Sequence, residues 1–572
     1  MNWKTKYSND CGWQNIAKEF DLIHPIVLRI LFQRGLTNKK DIKSFLFPNY
    51  EKDLMSPFLF RDMSKVINRL KKAKKSKEKV LIFGDYDADG ITSSLVLKTA
   101  FEKIGLDVFV YIPHKEKEGY GLSFKILKKF FDKGIKLVFT VDCGISNVEE
   151  IKKAKKIGMD IIITDHHHIP PKIPDALAII NPKINKSGYP FKDLAGVGVA
   201  FKLAQAIYEV FLPKNERQHI KWLLDLVAIG TVADMVPLVD ENRVIVKFGL
   251  LVVSKTKRVG LQEMFKTGNI LIDENNVPTT QKISFQIAPR INSASRMSHA
   301  EKALFLLDEN DRVRARLLAL ELENQNTKRQ KETRRISLEA EKIAKKEFAN
   351  NPFIFIIREY FPSGILGLVA GRLSNKFNKP TAILKKGDVI SKGSFRSIPK
   401  INIIEMIERC GELLEAYGGH SQAAGITIRN KNIKRFFDKM QYLIKKELKE
   451  KDIVSEIGVD AELSIEDIDL NLADSLIKME PFGQGNEEPV FLLKNLKIQN
   501  IKWVGNGEKH LKLFLQGKNN SKTLEAIGFN LLDKFSKLKK GDKVDIIFNL
   551  FKNMWNGYQR VQLKIIDIKN NN

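Results

Sequence analysis

The sequence predicts an α/β protein in which a parallel-sheet domain, a long connecting helix, a second α/β domain and a C-terminal β-barrel follow one another. Between about residues 78 and 240, short β-rich runs alternate with amphipathic helical stretches, which is typical of a parallel sheet. Residues 311–348 contain no proline or glycine and are rich in helix formers. From about residue 454, short strands separated by turns have the spacing of a β-barrel.

The strands of the first domain are predicted where apolar β-formers cluster, and helices are predicted between them. The predicted strands are 80–83, 108–112, 137–141, 161–164 and 176–180, and the clearest helices are 93–104 and 148–157. A continuous helix over 311–348 would be about 57 Å long at 1.5 Å per residue, which suits a strut between domains. We expect an N-terminal extension at 1–50, the first domain at 51–310, the connecting helix at 311–348, the second domain at 349–453 and the barrel at 454–572.

Composition points to a polyanionic partner. The 572 residues include 96 Lys and Arg against 68 Asp and Glu, a formal net charge of +28, and nucleic acid is the natural counterpart. Codon usage that favours lysine is the alternative explanation. No run approaches the roughly 18 apolar residues of a membrane-spanning helix, and the N-terminus lacks the apolar core of a signal peptide. Cys11, Cys143 and Cys410 have spacings that suit neither zinc nor disulfides. We therefore expect a cytoplasmic protein without a membrane partner.

Three aspartates crowd together directly after the first predicted strand, in VLIFGDYDADG. Asp85, Asp87 and Asp89 raise one another's pKa and cost stability unless positive charge lies among them. Taken alone, the motif is compatible with either a solvated acidic turn or a cation site.

Two more predicted strands also end in residues that bind metals. Asp142 follows the strand 137–141, and Asp165, His166 and His167 follow the strand 161–164. The carboxyl ends of parallel strands meet at one edge of a sheet, where ligands bind. Oxygen ligands with one or two imidazoles favour Mn²⁺ or Mg²⁺, so the pattern predicts a cation site. A hydrogen-bonded structural role for the two histidines is the alternative.

A further pair of carboxylates lies in the apolar segment WLLDLVAIGTVADMVPL. A carboxylate buried in such a run must be paired or bound to a metal. We favour Asp225 as a ligand over a structural salt bridge, and leave Asp234 open between the two roles.

The motifs GDYDADG, VDCGIS, TDHH and LDLVAIGTVAD resemble, in this order, those of the DHH phosphoesterase superfamily. Together with APRINSASRM, SGILGLVAGRLSNKFNKPTAIL, GSFRS, GGHSQAAG and EPFGQGNEEPVF, they make residues 50–572 similar to the RecJ exonucleases, which are specific for single-stranded DNA. The resemblance implies that two divalent cations, Mn²⁺ or Mg²⁺, are held by Asp87, Asp89, Asp142, His166 and Asp225. It also implies that Asp85 and Asp165 support or contact them and that His167 reaches the scissile phosphate.

The second domain resembles the DHHA1 substrate-binding domain, and the C-terminal barrel resembles an OB-fold. The resemblance implies that Gly418 and Gly419 allow a phosphate to approach the backbone beside His420, with phosphate contacts from Arg290, Asn292, Arg296, Arg372 and Arg396. In the barrel, the residues offered to a single strand are Trp503, Lys509, His510, Lys512 and Tyr558, and the sequence does not say which of them face it.

The chain departs from the family pattern at a few positions. Phe361 and Pro362 stand where family members commonly have a Trp-His pair, Ser295 replaces a glycine and Cys143 replaces an asparagine. None of these changes removes an expected metal ligand.

We expect a 5′-to-3′ exonuclease that hydrolyses single-stranded DNA in repair and recombination, acting as a monomer with a helicase and a single-strand-binding protein as possible partners. An oligoribonucleotide or cyclic-dinucleotide phosphodiesterase is the first alternative, but smaller relatives with that activity lack the barrel. An inactive single-strand-binding scaffold is the second alternative, although every motif aspartate is present.

Overall fold

The computed structural model describes residues 2–6, 12–114, 118–119, 121–448, 456–505, 508–517, 522–531, 535–555 and 558–571. The chain forms two compact units. One comprises Met1–Met55, Pro237–Lys247 and Glu456–Asn572, and the other comprises Ser56–Val236 and Phe248–Ser455. Cys11 and the predicted boundary at 453/454 lie outside the described residues. None of the described helices combines the length and the apolar character needed to cross a membrane.

The N-terminal segment contributes to the core of the first unit. Its elements are β1 (Asn2–Thr5), α1 (Trp13–Ala17), α2 (Pro25–Gln33) and α3 (Lys39–Leu46). Val27, Leu31 and Leu46 are buried in the same apolar cluster as side chains of the C-terminal strands. The extension is therefore part of a folded unit.

A five-stranded parallel sheet forms the first half of the second unit, as predicted. After α4 (Met63–Lys75), its strands are β2 (Lys79–Gly84), β3 (Asp107–Tyr111), β4 (Leu137–Val141), β5 (Asp160–Thr164) and β6 (Ala178–Ile180). Their order is β3-β2-β4-β5-β6. Because the strand order reverses at β2, the crevice beyond the carboxyl ends of β2 and β4 is the position where such sheets bind ligands.

Helices cover this sheet and extend the domain. They are α5 (Ala88–Lys103), α6 (Phe124–Asp132), α7 (Val148–Lys156), α8 (Gly196–Phe211), α9 (Lys214–Arg217), α10 (Leu224–Ala233), α12 (Val259–Thr267), α13 (Thr280–Lys282), α14 (Ala288–Met297) and α15 (Glu301–Asp308), with a π-helical turn at Ile283–Ile287. Helix α11 (Asp240–Ser254) begins in the first unit and ends in the second. Helices α5, α8 and α10 pack against one another. Most of their residues are buried on every face, because each helix lies between other elements.

The predicted connecting helix is confirmed as α16 (Arg312–Glu347), 36 residues long. Asp311 caps its first turn by accepting a hydrogen bond from the Arg314 amide at 2.8 Å. The helix is more than a strut, since it packs against α12, α14 and α15. Farther along, Ile336, Ala340 and Ala344 are buried with side chains of the second α/β domain.

The second α/β domain is a five-stranded mixed sheet with helices. Its elements are β7 (Ile354–Arg358), α17 (Leu366–Phe377), β8 (Thr381–Lys385), β9 (Ile390–Arg396), α18 (Ile403–Glu408), β10 (Leu414–His420), β11 (Ala423–Arg429) and α19 (Ile433–Glu447). The strand order is β10-β11-β9-β8-β7. Only β7 and β8 are parallel neighbours.

The C-terminal region forms the predicted barrel. Its elements are β12 (Glu456–Val459), β13 (Ala461–Glu462), α20 (Leu470–Lys478), β14 (Phe491–Val504), β15 (His510–Gln516), β16 (Thr523–Gly528), β17 (Lys543–Trp555) and β18 (Tyr558–Asn570). Pairing of β14 with β17 closes five strands into a barrel, and β12 pairs with β1. Within this unit, the buried Arg243 donates hydrogen bonds to the carbonyls of Phe45, Lys478, Met479 and Glu480.

Candidate metal centre

The three predicted metal-binding motifs meet at one edge of the parallel sheet. The register pairs Gly84 with Val141 and Val141 with Thr164, so β2, β4 and β5 end level with one another. The residues that follow these strands therefore enter the same crevice. This juxtaposition is the one expected from the strand pattern.

Backbone amides hold two of the carboxylates of the first motif in place. Asp87 caps α5, where its Oδ1 accepts hydrogen bonds from the amides of Asp89 at 3.0 Å and Gly90 at 3.1 Å. Asp89 accepts hydrogen bonds from the amides of Gly196 at 2.7 Å and Val197 at 2.8 Å, at the N-terminus of α8. Helix N-termini favour negative charge, so the sequence fixes these acids where helices begin.

Three groups of side chains have ligand atoms that all lie within 4.8 Å of one another. The groups are Asp142 with His166 and His167, Asp89 with His166 and Asp234, and Asp85 with Asp87 and Asp142. Asp142 and His166 each belong to two groups. The three groups therefore form one continuous cluster.

His166 is the centre of this cluster. Its Nε2 lies 3.2 Å from Asp142 Oδ1, 3.6 Å from Asp234 Oδ2 and 3.9 Å from Asp89 Oδ2. The nitrogen is buried and has no hydrogen-bond partner among the described residues. A buried imidazole nitrogen without a partner, surrounded by carboxylate oxygens, fits a divalent cation, because the cation would satisfy all of them at once.

Burial and mutual repulsion raise the pKa values of the carboxylates of the cluster and lower that of His166. Burial, reinforced by Asp87, raises the pKa of Asp89 to about 7. Burial and the charges of Asp89 and Asp87 raise the pKa of Asp234 to about 8. Burial and the neighbouring His167 lower the pKa of His166 to about 3. The imidazole is therefore neutral, the form that binds metals, and burial and repulsion outweigh the effect of His167 on the pKa values of Asp89 and Asp234.

The backbone at Asp142 is shaped to fit the cluster. Asp142 has φ of +56°, a left-handed conformation that non-glycine residues seldom adopt. Gly196 allows this approach, because a Cβ at that position would lie 2.6 Å from Asp142 Oδ1. Strained residues of this kind are concentrated at functional sites.

Asp165 orients His167 and lies outside the three groups. Its Oδ1 is 2.7 Å from His167 Nδ1, and its Oδ2 accepts a hydrogen bond from the Ile145 amide at 3.0 Å. Although burial would lower it, the pKa of His167 is raised to about 9 by the hydrogen bond with Asp165. Nε2 is the ring nitrogen that does not contact Asp165, so a chemical role of the ring would use that atom.

The structure does not bring Asp225 to the cluster, which corrects the ligand set expected from the sequence. Asp225 Oδ2 accepts a hydrogen bond from Thr256 Oγ1 at 2.7 Å, and Arg258 Nε lies 3.2 Å from the carboxylate. Asp225 lies in the first turn of α10 and Asp234 directly follows its last residue, so the two are nine residues apart, which corresponds to about 13 Å of helix. They cannot both reach one ion, and it is Asp234 that joins Asp89 and His166.

The structure also separates the residues expected from APRINSASRM to contact phosphate. Arg290 makes a two-pronged ion pair with Glu323, with Nε to Oε2 at 2.5 Å and Nη2 to Oε1 at 3.1 Å. Its guanidinium is thus occupied by the protein, which corrects its assignment as a phosphate contact. Asn292 Oδ1 accepts a hydrogen bond from the Ala88 amide at 2.8 Å and so supports the first motif. Arg296 donates to the Gly364 carbonyl at 3.1 Å.

In the second domain, Arg396 lies beside the first turn of α17. A Cβ at Gly367 would lie 2.9 Å from its Nη2, and its Nη1 donates to the Phe395 carbonyl at 2.7 Å. Burial and the charge of Arg296 lower its pKa. Arg372, on α17, is exposed. Two arginines of the second domain are therefore available to an anion.

The glycine pair lies on β10, next to His420. Gly419 has φ of +152°, and a Cβ there would clash with the Ala423 carbonyl, whereas a Cβ at Gly418 would meet no atom within 4 Å. The fold therefore requires glycine at position 419, whereas position 418 has room for a side chain. Burial and the neighbouring Arg396 and His168 lower the pKa of His420.

The departures from the family pattern have local explanations. Phe361 is fully buried with Ile365 and Val369 in the core beside α16, so its ring serves packing. Ser295 Oγ donates to the Asn292 carbonyl at 3.2 Å, and Cys143 Sγ lies 3.7 Å from the Phe83 carbonyl. These substitutions leave the carboxylate cluster intact.

The barrel residues differ in their surroundings. Trp503 packs against the barrel core, and the His510 ring lies 5.3 Å from the ring of Phe529. Lys512 pairs with Glu525 at 2.9 Å. Lys509 and Tyr558 are exposed.

Three family models match this chain: the DHH family N-terminal domain over residues 79–231, the DHHA1 domain over residues 350–446 and the RecJ OB domain over residues 459–567. The single-stranded-DNA-specific exonuclease RecJ of Bacillus subtilis is 35% identical over 571 residues, which cover 99% of this chain and 70% of that protein. The RecJ exonuclease of Haemophilus influenzae is 31% identical over 558 residues, 95% of this chain and 96% of that protein.

The crystal structure of RecJ in complex with Mn²⁺ from Thermus thermophilus is similar with a TM-score of 0.84 and 26% identity, covering 99% of this chain and 79% of that one. A manganese-bound structure of exonuclease RecJ is similar with a TM-score of 0.59 and 30% identity, covering 69% of this chain and 97% of that one. The chain belongs to the RecJ family of single-stranded-DNA-specific exonucleases.

Proposed function

We propose that this chain hydrolyses the phosphodiester bonds of single-stranded DNA as a metal-dependent exonuclease, proceeding from the 5′ end, in DNA repair and recombination. The observation that carries the proposal is the carboxylate and imidazole cluster at the ends of β2, β4 and β5, centred on His166. The family relationship supports the substrate class.

The proposed ligands of two divalent cations are Asp87, Asp89, Asp142, His166 and Asp234. Mn²⁺ or Mg²⁺ bound there would supply the positive charge that activates water and neutralises charge developing on the phosphodiester oxygens. Asp85 lies in the group with Asp87 and Asp142 and adds negative charge to it. In this proposal Asp234 replaces Asp225, which the sequence motifs had led us to expect as a metal ligand.

His167 acts on the scissile phosphate, and Asp165 positions its ring. The hydrogen bond between Asp165 and Nδ1 fixes the orientation of the imidazole. A ring held in this orientation close to the metal cluster can donate a hydrogen bond to a phosphoryl oxygen or a proton to the leaving group.

Cationic groups on both sides of the crevice hold the strand. Arg296 contributes from the first domain, while Arg372 and Arg396 contribute from the second, beside His420 and the backbone of Gly418 and Gly419. The C-terminal barrel, whose fold suits single strands, provides a further binding surface. We propose further that the chain works as a monomer in the cytoplasm, where a helicase and a single-strand-binding protein deliver its substrate.

The test is a cleavage assay with Mn²⁺ on kilobase single strands that carry the label at either end. The proposal predicts mononucleotide release from the 5′ end, slower digestion of blunt duplex, and no cleavage by Asp142→Ala. Preferential hydrolysis of dinucleotides would favour the alternative phosphodiesterase instead. Strand binding without cleavage would favour a scaffold.

A further inference from the structure

The connecting helix carries a cation that no part of the sequence-based account uses. Arg329 lies in the middle of α16, a helix that packs against both α14 and α17. Its Nη2 donates to Asn326 Oδ1 at 2.8 Å, within the same helix. Its Nε is buried and has no hydrogen-bond partner among the described residues.

The charged neighbours of Arg329 are themselves arginines. Burial and the charges of Arg296, Arg372 and Arg290 lower the pKa of its guanidinium to about 10. Of these, Arg290 forms an ion pair with Glu323, and Arg296 is attracted by the more distant charge of Asp87 without forming an ion pair with it. Arg329 is partly buried, and a partly desolvated cation whose charged neighbours have the same sign costs free energy, so like charges gathered in this way favour a bound anion.

Two other observations extend this cluster across the crevice. The charge of Arg296 lowers the pKa of Arg396 as well as that of Arg329. Across the described residues, none of Arg296, Arg329, Arg372 and Arg396 forms a salt bridge with a carboxylate. Helices α14, α16 and α17 and strand β9 each contribute one guanidinium, and guanidinium forks are the groups best suited to binding the oxygens of a phosphate.

We propose that Arg329 is a substrate-positioning residue that binds a phosphate of the DNA strand other than the one being cleaved. It completes an anion site with Arg296, Arg372 and Arg396. The inference rests on the proposed nuclease function for the identity of the anion, but the anion site follows from the arginines alone. A terminal 5′-phosphate and an internal phosphodiester offer the same oxygens, so the experiment must separate them.

The first arm measures anion binding without any metal. Melting temperatures are recorded in EDTA with sodium sulfate and with sodium chloride at equal ionic strength. Sulfate should raise the melting temperature of the wild type and of Arg334→Gln, an exposed arginine on the same helix, by more than that of Arg329→Gln. In chloride, Arg329→Gln should melt no lower than the wild type, because the change relieves repulsion.

The second arm measures steady-state cleavage of 5′-phosphorylated and 5′-hydroxyl single strands with Mn²⁺. Arg329→Gln should raise KM by roughly ten- to a hundredfold, because it removes the charge-assisted hydrogen bonds of one guanidinium to a phosphate. The value of kcat should change little. The KM of Arg329→Lys should lie between those of the wild type and Arg329→Gln, because lysine keeps the positive charge but cannot donate two parallel hydrogen bonds. An effect confined to phosphorylated strands identifies the terminal phosphate, and an equal effect on both identifies an internal phosphate.

The inference is overturned if Arg329→Gln keeps the wild-type sulfate response or a KM within twofold of the wild type. A lower melting temperature in chloride would also overturn it, because it would show that Arg329 stabilises the fold. If the wild type cleaves no DNA, the nuclease proposal fails, while the sulfate arm still decides whether the anion site exists.

Discussion

Substituting Asp225 in α10 and Asp234 directly after it, each by asparagine, distinguishes a metal ligand from a carboxylate that only stabilises the fold. Asp234→Asn removes a carboxylate that lies 3.6 Å from His166 Nε2. Asp225→Asn removes one that pairs with Arg258 and Thr256. The two variants are nearly isosteric with the wild type, so each is the matched control for the other.

The two substitutions should change different quantities: Asp225→Asn the free energy of unfolding, and Asp234→Asn the value of kcat. Asp225 is only 2% exposed, and losing its charge leaves Arg258 without a partner. The free energy of unfolding should fall by about 2 kcal/mol, the value of a hydrogen-bonded charge at a partly buried site. Asp234 is repelled by Asp89 and Asp87, so neutralising it should leave metal-free stability unchanged or higher. Loss of a ligand should lower kcat at least about a thousandfold, since metal charge stabilisation is worth several kcal/mol.

The assay combines thermal melting in EDTA with Mn²⁺-dependent cleavage of a labelled single strand. We expect Asp225→Asn to melt several degrees lower and keep a kcat within a few-fold of the wild type. We expect Asp234→Asn to melt at or above the wild-type temperature and to be inactive. The opposite pattern, with Asp225→Asn inactive and fully stable, would refute the exchange of ligands argued from the structure.

Three further predictions concern a pair of arginines, His167 and the metal requirement. Arg290→Gln should lower the free energy of unfolding by roughly 2 kcal/mol, because it loses the ion pair with Glu323, and should change KM little. Arg396→Gln should raise KM and change stability little. Denaturant titration measures the first effect and steady-state kinetics the second. His167→Ala should lower kcat by roughly 10²- to 10⁴-fold, measured in single-turnover cleavage, and an unchanged rate would remove its role. EDTA should abolish cleavage and Mn²⁺ should restore it, and cleavage that persists in EDTA would contradict the metal requirement.

The architecture could be predicted from the sequence because its signals are local. The strands β2, β4 and β5 are apolar runs bounded by acids, and α16 lies in a stretch without proline or glycine. Parallel strands place their ends at one edge, so the meeting of Asp87, Asp142 and His166 follows from chain order alone. The closed barrel likewise follows from the spacing of short strands.

Side-chain partners could not be predicted, because they depend on which helical face meets which neighbour. Asp225 and Asp234 occur in the same apolar run, and only the packing of α10 shows which one reaches His166. Arg290 pairs with Glu323, 33 residues away, and no local pattern indicates that contact. Arg329 looks like one more basic residue of a long helix until α14 and α17 are placed around it.

The most direct test of the central claim is anomalous scattering from crystals grown with Mn²⁺, recorded on both sides of the manganese absorption edge. The account predicts anomalous peaks among the carboxylates of Asp87, Asp142 and Asp234 and the Nε2 of His166. Absence of any peak within coordination distance of these atoms would contradict it, and so would a peak bound by Asp225.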